Sequence, residues 1–346
     1  MAIPAEMNAL LLNEDGYAAK PSGSVLEALA PYVTLGRIGV PAPKPSQVLI
    51  KVKLASINPS DVMFVKGMYG QPRQKGQPAG FEGVGEVVAS GGDPAADKLI
   101  GKRVAFATGL SGWGAWADYA VAEAGACMRL IDGVRDEDGA ALIVNPLTAL
   151  AMFDIVRQEG EKAFIVTAGA SQLCKLMMGV AREEGFRTIA IVRRDDQIPL
   201  LEKAGAAIVL NAEAADFASR LIDVCRTEKP LVFLDAVTGP LAAQIFNAMP
   251  KRARWIIYGR LDQTTTPILE PGQMIFMHKK IEGFWLSEWM RTAEPERKGA
   301  AVMDAQRRFA EGSWSTDVTA IIKLGDAIDR VAEELGKPNG KVFIAP

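Results

Sequence analysis

Val48-Leu-Ile-Lys-Val-Lys-Leu54 alternates apolar and polar side chains, the period of a strand with one buried face. Gly83-Val-Gly-Glu-Val-Val88 and Arg103-Val-Ala-Phe-Ala107 are shorter apolar runs that predict two more strands. The prolines of Val40-Pro-Ala-Pro-Lys-Pro45 cannot donate to a central ladder, so this segment predicts a loop or an edge. Residues 1 to about 135 thus read as a β-rich unit. From about Asp136 to Gly283 the rhythm changes. Strand-length apolar runs occur at Ala163–Ala168, Thr188–Val192, Ala207–Leu210, Leu231–Val237, Trp255–Tyr258 and Ile281–Leu286. Helical patterns fall between them, at Leu173–Glu184, Ile198–Ala204, Ala215–Cys225 and Leu241–Met249. Strand, helix, strand at this spacing predicts a parallel, doubly wound sheet. The tail returns to mixed structure, with helices predicted around Arg297–Glu311 and Gly325–Leu335 and a last strand at Lys341–Ile344.

The length of 346 residues is a prior for two domains, and 49% hydrophobic residues is ample for two cores. A net charge of -2 gives no electrostatic case for nucleic acid or an anionic membrane. The longest apolar runs, Ala163–Ala170 and Leu231–Val237, fall far short of the ~20 residues of a membrane span. Asn8-Ala-Leu-Leu-Leu-Asn13 is too short for the apolar core of a signal peptide and has no basic segment before it. Cys127, Cys174 and Cys225 are widely spaced and form no CxxC pair, so neither a disulfide framework nor a zinc lobe is expected, and a reducing cytoplasm is the default. The sole histidine, His278, lies among cations in Phe276-Met-His-Lys-Lys280 and reads as a structural or surface residue. Hydrolytic triads and His-rich metal sites are disfavoured on that count alone.

Ala163-Phe-Ile-Val-Thr-Ala-Gly-Ala-Ser-Gln-Leu-Cys-Lys175 is a strand, a turn of small residues and the start of a helix. A pyrophosphate binds such a turn because the helix N-terminus offers unpaired N–H groups and a positive dipole end. Ala170, Ser171, Gln172 and Leu173 are the candidate contacts, with Ser171 also suited to cap the helix. From the turn alone, a cofactor site and an ordinary βα connection stay open. The next strand adds a signal. It ends Ile191-Val-Arg-Arg-Asp-Asp196, with two arginines ahead of any acid. An acid directly after this strand suits a ribose 2′-OH, whereas Arg accommodates a 2′-phosphate. Arg193 and Arg194 therefore favour NADPH over NADH, against the alternative of a solvated basic turn.

The stretches Ala55-Ser-Ile-Asn-Pro-Ser-Asp-Val-Met-Phe-Val-Lys-Gly-Met-Tyr-Gly70 and Gly80-Phe-Glu-Gly-Val-Gly-Glu-Val-Val88 resemble the active-site approach of the medium-chain dehydrogenase/reductase superfamily. The resemblance is to its zinc-independent branch, the NADPH:quinone oxidoreductases and mitochondrial-type 2-enoyl thioester reductases. Where zinc-dependent members carry Cys and His, this chain has Asn58, Pro59 and Phe81. Catalytic zinc needs about three N, S or carboxylate ligands, so a metal-free enzyme is expected. The resemblance covers nearly the whole chain. It implies a GroES-like catalytic domain of residues 1–135, completed by 284–346, and an inserted Rossmann domain of 136–283, with the active site in the cleft between them. One departure stands out. Family members often carry Gly, Val and Gly where this chain has Gln172, Leu173 and Cys174, which reduces close backbone approach.

By the same resemblance, further positions belong to the cofactor site. They are Asn145 in Val144-Asn-Pro-Leu-Thr-Ala149, Tyr258-Gly259 beside the nicotinamide half, and Phe284-Trp285-Leu286, whose backbone would face the carboxamide. Lys341 stands where the family has a lysine reaching the cofactor. Read from the residues alone, Phe284-Trp285-Leu286 suits a core or a subunit interface. The family commonly pairs this strand with its copy, so a homodimer is expected. Tyr69 matches the tyrosine assigned as proton donor in 2-enoyl reductases, with Lys66 as a local cation; its alternative role is to shield the nicotinamide. Asn58 and Asp61 are expected to shape the loop through Asx bonds. The reading is an NADPH-dependent reductase of quinones or other activated enones. The competitors are a 2-enoyl thioester reductase and a nucleotide-binding protein with little turnover.

Overall fold

The alternation at residues 48–54 belongs to an eleven-residue strand, Gln47–Ile57, on which the first of two units is built. The computed structural model describes residues 2–20, 22–109, 113–264, 266–267, 270–337 and 340–346. One unit comprises residues 1–145 and 302–346, the other 146–301; residues 284–301 thus fall in the second. The first unit opens with strands β1 (Glu6–Leu12), β2 (Val33–Gly39), β3 (Gln47–Ile57), β4 (Glu82–Ser90), β5 (Arg103–Ala107), β6 (Tyr119–Glu123) and β7 (Cys127–Arg129). β1 and β2 form a separate antiparallel pair. β3 is the centre of the larger sheet. One edge pairs with β4; the other pairs with β6 along its first half. With both edges covered, β3 exposes only Lys51 and Lys53.

Phe106, Trp116, Leu49 and Ile50 are fully buried around this strand. Gly80 is fixed by that core: its φ is +99°, and a Cβ there would lie 2.4 Å from the Trp116 ring. A helix, Pro59–Val65, follows β3 where a loop was expected. Pro59 suits the first helical position, and the Asn58 N–H donates to Asp61 Oδ2 at 2.8 Å, half of a capping box. The Asx bond anticipated for Asp61 thus exists, but it starts a helix.

The second unit holds β8 (Ala163–Val166), β9 (Arg187–Val192), β10 (Ala206–Asn211), β11 (Val232–Asp235), β12 (Arg254–Ile257) and β13 (Lys280–Gly283). They lie in the order β10-β9-β8-β11-β12-β13, all parallel, the arrangement of a dinucleotide-binding doubly wound sheet. β8 and β11 are buried at every position, as expected of strands covered on both faces. The helices Gln172–Glu183, Ile198–Ala204, Phe217–Glu228 and Gly239–Ala248 connect them. The run predicted as strand Ile281–Leu286 ends at Gly283, because Leu286 opens the helix Leu286–Thr292. The helix Val144–Glu159 was not foreseen: it is buried on most sides, so it lacks the one-sided stripe that marks a surface helix.

The tail adds the helix Pro295–Ala310, strands β14 (Val318–Lys323) and β15 (Lys341–Ala345), and between them the helix Ala327–Leu335. β15 pairs antiparallel with the second half of β3, and β14 lies parallel to β15 at the sheet edge. Among the described residues no helix is long and apolar enough to cross a membrane.

Candidate active site

Strand register assembles a polar centre in the first unit. Val342 of β15 pairs with Ile57, so Lys341 falls beside Asn58; Gly83 of β4 pairs with Ala55, so Glu82 falls beside Ser56. Ser56, Asn58, Asp61, Glu82 and Lys341 are all buried. The Ser56 hydroxyl donates to Glu82 Oε1 at 2.7 Å and the Asn58 amide to the same oxygen at 2.8 Å. The other Glu82 oxygen accepts the backbone N–H groups of Ile143 and Val144, at 3.0 and 2.9 Å. That anchors the first turn of the helix carrying Asn145, which is half-buried. The Lys341 ammonium donates to Asn58 Oδ1. Asp61 accepts from the backbone of Asn58 and Phe81, each at 2.8 Å.

Burial dominates the electrostatics here. It pushes the Asp61 carboxyl up to about 7, with the Glu82 charge adding to the rise, against the pull of the two N–H donors and Lys341. Burial also holds the Lys341 amine below its ordinary value, opposed by the charges of Glu82 and Asp61. A buried charge persists only when paired and hydrogen-bonded, and each member of this centre supplies a partner to another.

The loop after the Pro59–Val65 helix carries Tyr69. Its half-buried ring packs on Phe81 with centroids 5.1 Å apart, and Phe81 packs on Phe64 at 5.0 Å. Two cations clamp the loop. Arg73 donates to the carbonyls of Val65 and Gly16, at 3.2 and 3.1 Å. Lys66 donates to the carbonyls of Gly23 and Val25, the latter at 2.8 Å. The Lys66 ammonium, expected only as a local cation, fastens the 23–25 segment to the loop.

In the second unit the small-residue turn stands at the carboxyl end of β8, where open α/β sheets bind ligands. Gly169 is needed there, since a Cβ would press on Ala190 Cβ at 3.1 Å and the Ile191 carbonyl at 3.2 Å. The Ser171 hydroxyl caps the twelve-residue helix by accepting from the Cys174 N–H at 3.3 Å. Ala170, Ser171 and Gln172 are half-buried at this end, while the Leu173 side chain is in the core, which leaves only its backbone for a ligand. Cys174, the departure from the glycine pattern, is accommodated. Its thiol points back to the Thr167 carbonyl at 3.5 Å and lies 3.7 Å from the Tyr258 hydroxyl. Tyr258 therefore turns its hydroxyl toward the helix, and burial raises it well above the ordinary phenol value. Gly259 is a close approach, its absent Cβ only 2.9 Å from the Ala236 carbonyl. Phe284 extends the β13 pairing by donating to the Ile257 carbonyl, and Trp285, 41% exposed, precedes the next helix.

At the end of β9, Arg193 and Arg194 are exposed. Arg194 pairs with Asp196 at 3.1 Å, and Asp195 accepts from the Asn211 amide at 2.8 Å. Asp235 was not anticipated. This carboxylate ends the apolar run of β11 and collects the Thr167 hydroxyl, the Trp255 indole N–H at 2.9 Å and the N–H groups of Val237 and Thr238. It thereby holds Thr238 at φ +68°, ψ -154°, a conformation essentially confined to glycine. An acid closing a fully apolar strand was the available signal.

Residues 44–132 match the family of the alcohol dehydrogenase GroES-like domain, and residues 173–299 match the zinc-binding dehydrogenase family. The chain is 69% identical to a protein of Mesorhizobium loti described as a candidate NADPH:quinone reductase, over 100% of both chains with a TM-score of 0.97. It is 28% identical to the mitochondrial enoyl-[acyl-carrier-protein] reductase of Bos taurus, covering 94% of this chain and 84% of that one. A mutant enoyl thioester reductase of Candida tropicalis shares the fold, with a TM-score of 0.79 at 19% identity over 99% and 100% of the two chains. The chain belongs to the medium-chain dehydrogenase/reductase superfamily, in the branch of the quinone and enoyl reductases. The expected pairing of a GroES-like domain with a Rossmann domain holds.

Proposed function

We propose that the protein is a zinc-independent, NADPH-dependent reductase that passes hydride to a quinone or another activated enone. The observation that carries this reading is the end of β9. Arg193 is exposed beside the phosphate-binding type of turn, while both neighbouring acids are engaged by other side chains. Support for a 2′-phosphate comes from the always-charged guanidinium, which binds phosphate through charge-assisted bonds. Replacing Arg193 with Ala is expected to weaken NADPH by about 1.5–3 kcal/mol, one to two decades, with NADH nearly unchanged. Equal losses in the two binding constants would make the arginine structural.

Zinc independence is supported by the charge at the polar centre. The Lys341 ammonium lies against Asn58, where a divalent cation would be repelled, and Phe81 offers no ligand atom. NADPH, when bound, supplies the hydride. Asn145, the backbone from Ala170 to Leu173, Arg193, Gly259 and the Phe284–Leu286 segment are its proposed contacts. Tyr258 and Lys341 fit only through neighbours, since their polar atoms face Cys174 and Asn58. A hydride-accepting enone becomes an enolate that needs a proton at its α carbon. Tyr69, whose phenol hydroxyl carries a transferable proton, is the proposed donor.

Steady-state NADPH oxidation against benzoquinones, small enones and enoyl-CoA esters, with and without a chelator, tests the reading. Turnover of quinones that survives chelation is expected; a required, stoichiometric zinc would overturn it. The enoyl thioester alternative is favoured by the similarity to the Bos taurus enzyme and by Tyr69. Robust turnover of enoyl-CoA without quinone activity would select it. A homodimer through the edge strand β13 is also proposed. β13 ends the sheet, Ile281 in it and Trp285 just after it are 38% and 41% exposed, and an edge strand invites pairing with a copy. Light scattering at micromolar concentration should report twice the chain mass. The three unpaired cysteines support a cytoplasmic location.

A further inference from the structure

We propose that Asn211 sets the preference for NADPH over NADH by holding the carboxylate of Asp195. The inference rests on the NADPH reading above and deepens it. In dinucleotide-binding sheets the adenosine ribose lies at the carboxyl end of the second strand, here β9. A carboxylate there accepts the 2′-OH of NADH and repels the 2′-phosphate of NADPH. This chain carries two such carboxylates directly after its arginines, Asp195 and Asp196, both exposed. On their own they oppose the arginines.

Each is restrained by a different partner. Asp196 is paired with Arg194. Asp195 is held by a neutral group: Asn211 Nδ2 donates to its Oδ1 at 2.8 Å. Asn211 closes β10, adjacent to β9, with Asn211 in register with Val192. The Ala212 N–H donates to the Val192 carbonyl at 2.8 Å, which locks the two strand ends together. The amide cannot turn over, because Asn211 Oδ1 accepts the Glu213 N–H at 3.0 Å and a flip would set two acceptors together at Asp195. Asn211 is itself only 8% exposed, so it is a fixed post to which an exposed carboxylate is tied. It is a positioning residue, acting on the cofactor through Asp195.

The test is binding, read by the fluorescence of NADPH and NADH on the wild type, N211A, D195A and the double variant. N211A releases Asp195 to the ribose. The ratio of NADPH to NADH affinity should fall about three- to tenfold, the reach of one hydrogen bond and one nearby charge. In the double variant the ratio should return to that of D195A, because the effect travels through that carboxylate. An equal loss for both cofactors in N211A, or a double variant that keeps the fall, would overturn the proposal. Asn211→Thr, β-branched and too short to reach Asp195, gives the same reading should N211A fail to fold. A wild type that binds NADH as tightly as NADPH refutes the NADPH reading itself, and with it this dependent role.

Discussion

Replacing Lys341 with Met should destabilise the protein by about 3–5 kcal/mol, the usual result of removing one partner from a buried ionic group. Met retains the aliphatic stem in a site that leaves the residue 6% exposed, so the loss measures charge and hydrogen bonding more than packing. Asn58 Oδ1 loses its donor, and Glu82 and Asp61 lose the cation that opposes their charges. The pH dependence has a definite sign. The folded-state value for Asp61 is about 7, above its ordinary 3.8, so the folded chain binds this proton more tightly than the unfolded chain does. Its contribution is full below about pH 4 and is lost as pH rises toward 7. Without the ammonium the Asp61 value climbs further, and the variant goes on losing stability above pH 7, where the Asp61 contribution in the wild type is already spent. The depressed amine of Lys341 acts in the same direction, since the wild type regains stability as that amine titrates. Urea unfolding at pH 6 and pH 8 should show the gap widening. A variant as stable as the wild type, or a gap that narrows, would remove Lys341 from the electrostatic centre.

The contrast between this centre and the sheets shows what a sequence can hold. The strands were legible because each is a short apolar run of its own: Arg103–Ala107 has the predicted ends and Thr188–Val192 begins one residue early at Arg187, while the amphipathic helix Ile198–Ala204 also has the predicted ends. Buried helices were not, since Val144–Glu159 is apolar on most sides and gives no periodic stripe. The strands β1 and β2 were missed because the partners are separated by twenty residues, far longer than a hairpin turn. Site chemistry divides along the same line. The phosphate-type turn and Arg193-Arg194 are contiguous and could be read directly. The polar centre draws on residues 56, 58, 61, 82 and 341, which meet only through the registers of β3 with β4 and β15. Direction was equally hidden: the sequence names Lys66 and Tyr258, but whether their polar ends face Tyr69 or a nicotinamide is decided by packing.

Tyr69→Phe should separate proton transfer from hydride transfer. If Tyr69 protonates the enolate, turnover of an enone falls by about 10²–10⁴-fold, the usual effect of losing a general acid. The ring remains, with its contact to Phe81 at 5.1 Å, and the Arg73 and Lys66 clamps on the loop do not involve the hydroxyl. Fold and substrate affinity should therefore change little. A quinone should suffer far less, because its reduced product is a stabilised hydroquinone anion that water can protonate. The ratio of the two losses is thus the informative quantity. The Lys66 geometry sharpens the expectation. That ammonium is bound to the Gly23 and Val25 carbonyls, and the proton Tyr69 donates is replaced from solvent in each cycle. A solvent isotope effect on enone reduction should accompany the wild-type reaction and change in the Phe variant. Equal, small losses on enone and quinone would show that Tyr69 only covers the nicotinamide, and would pass the role of proton donor to water.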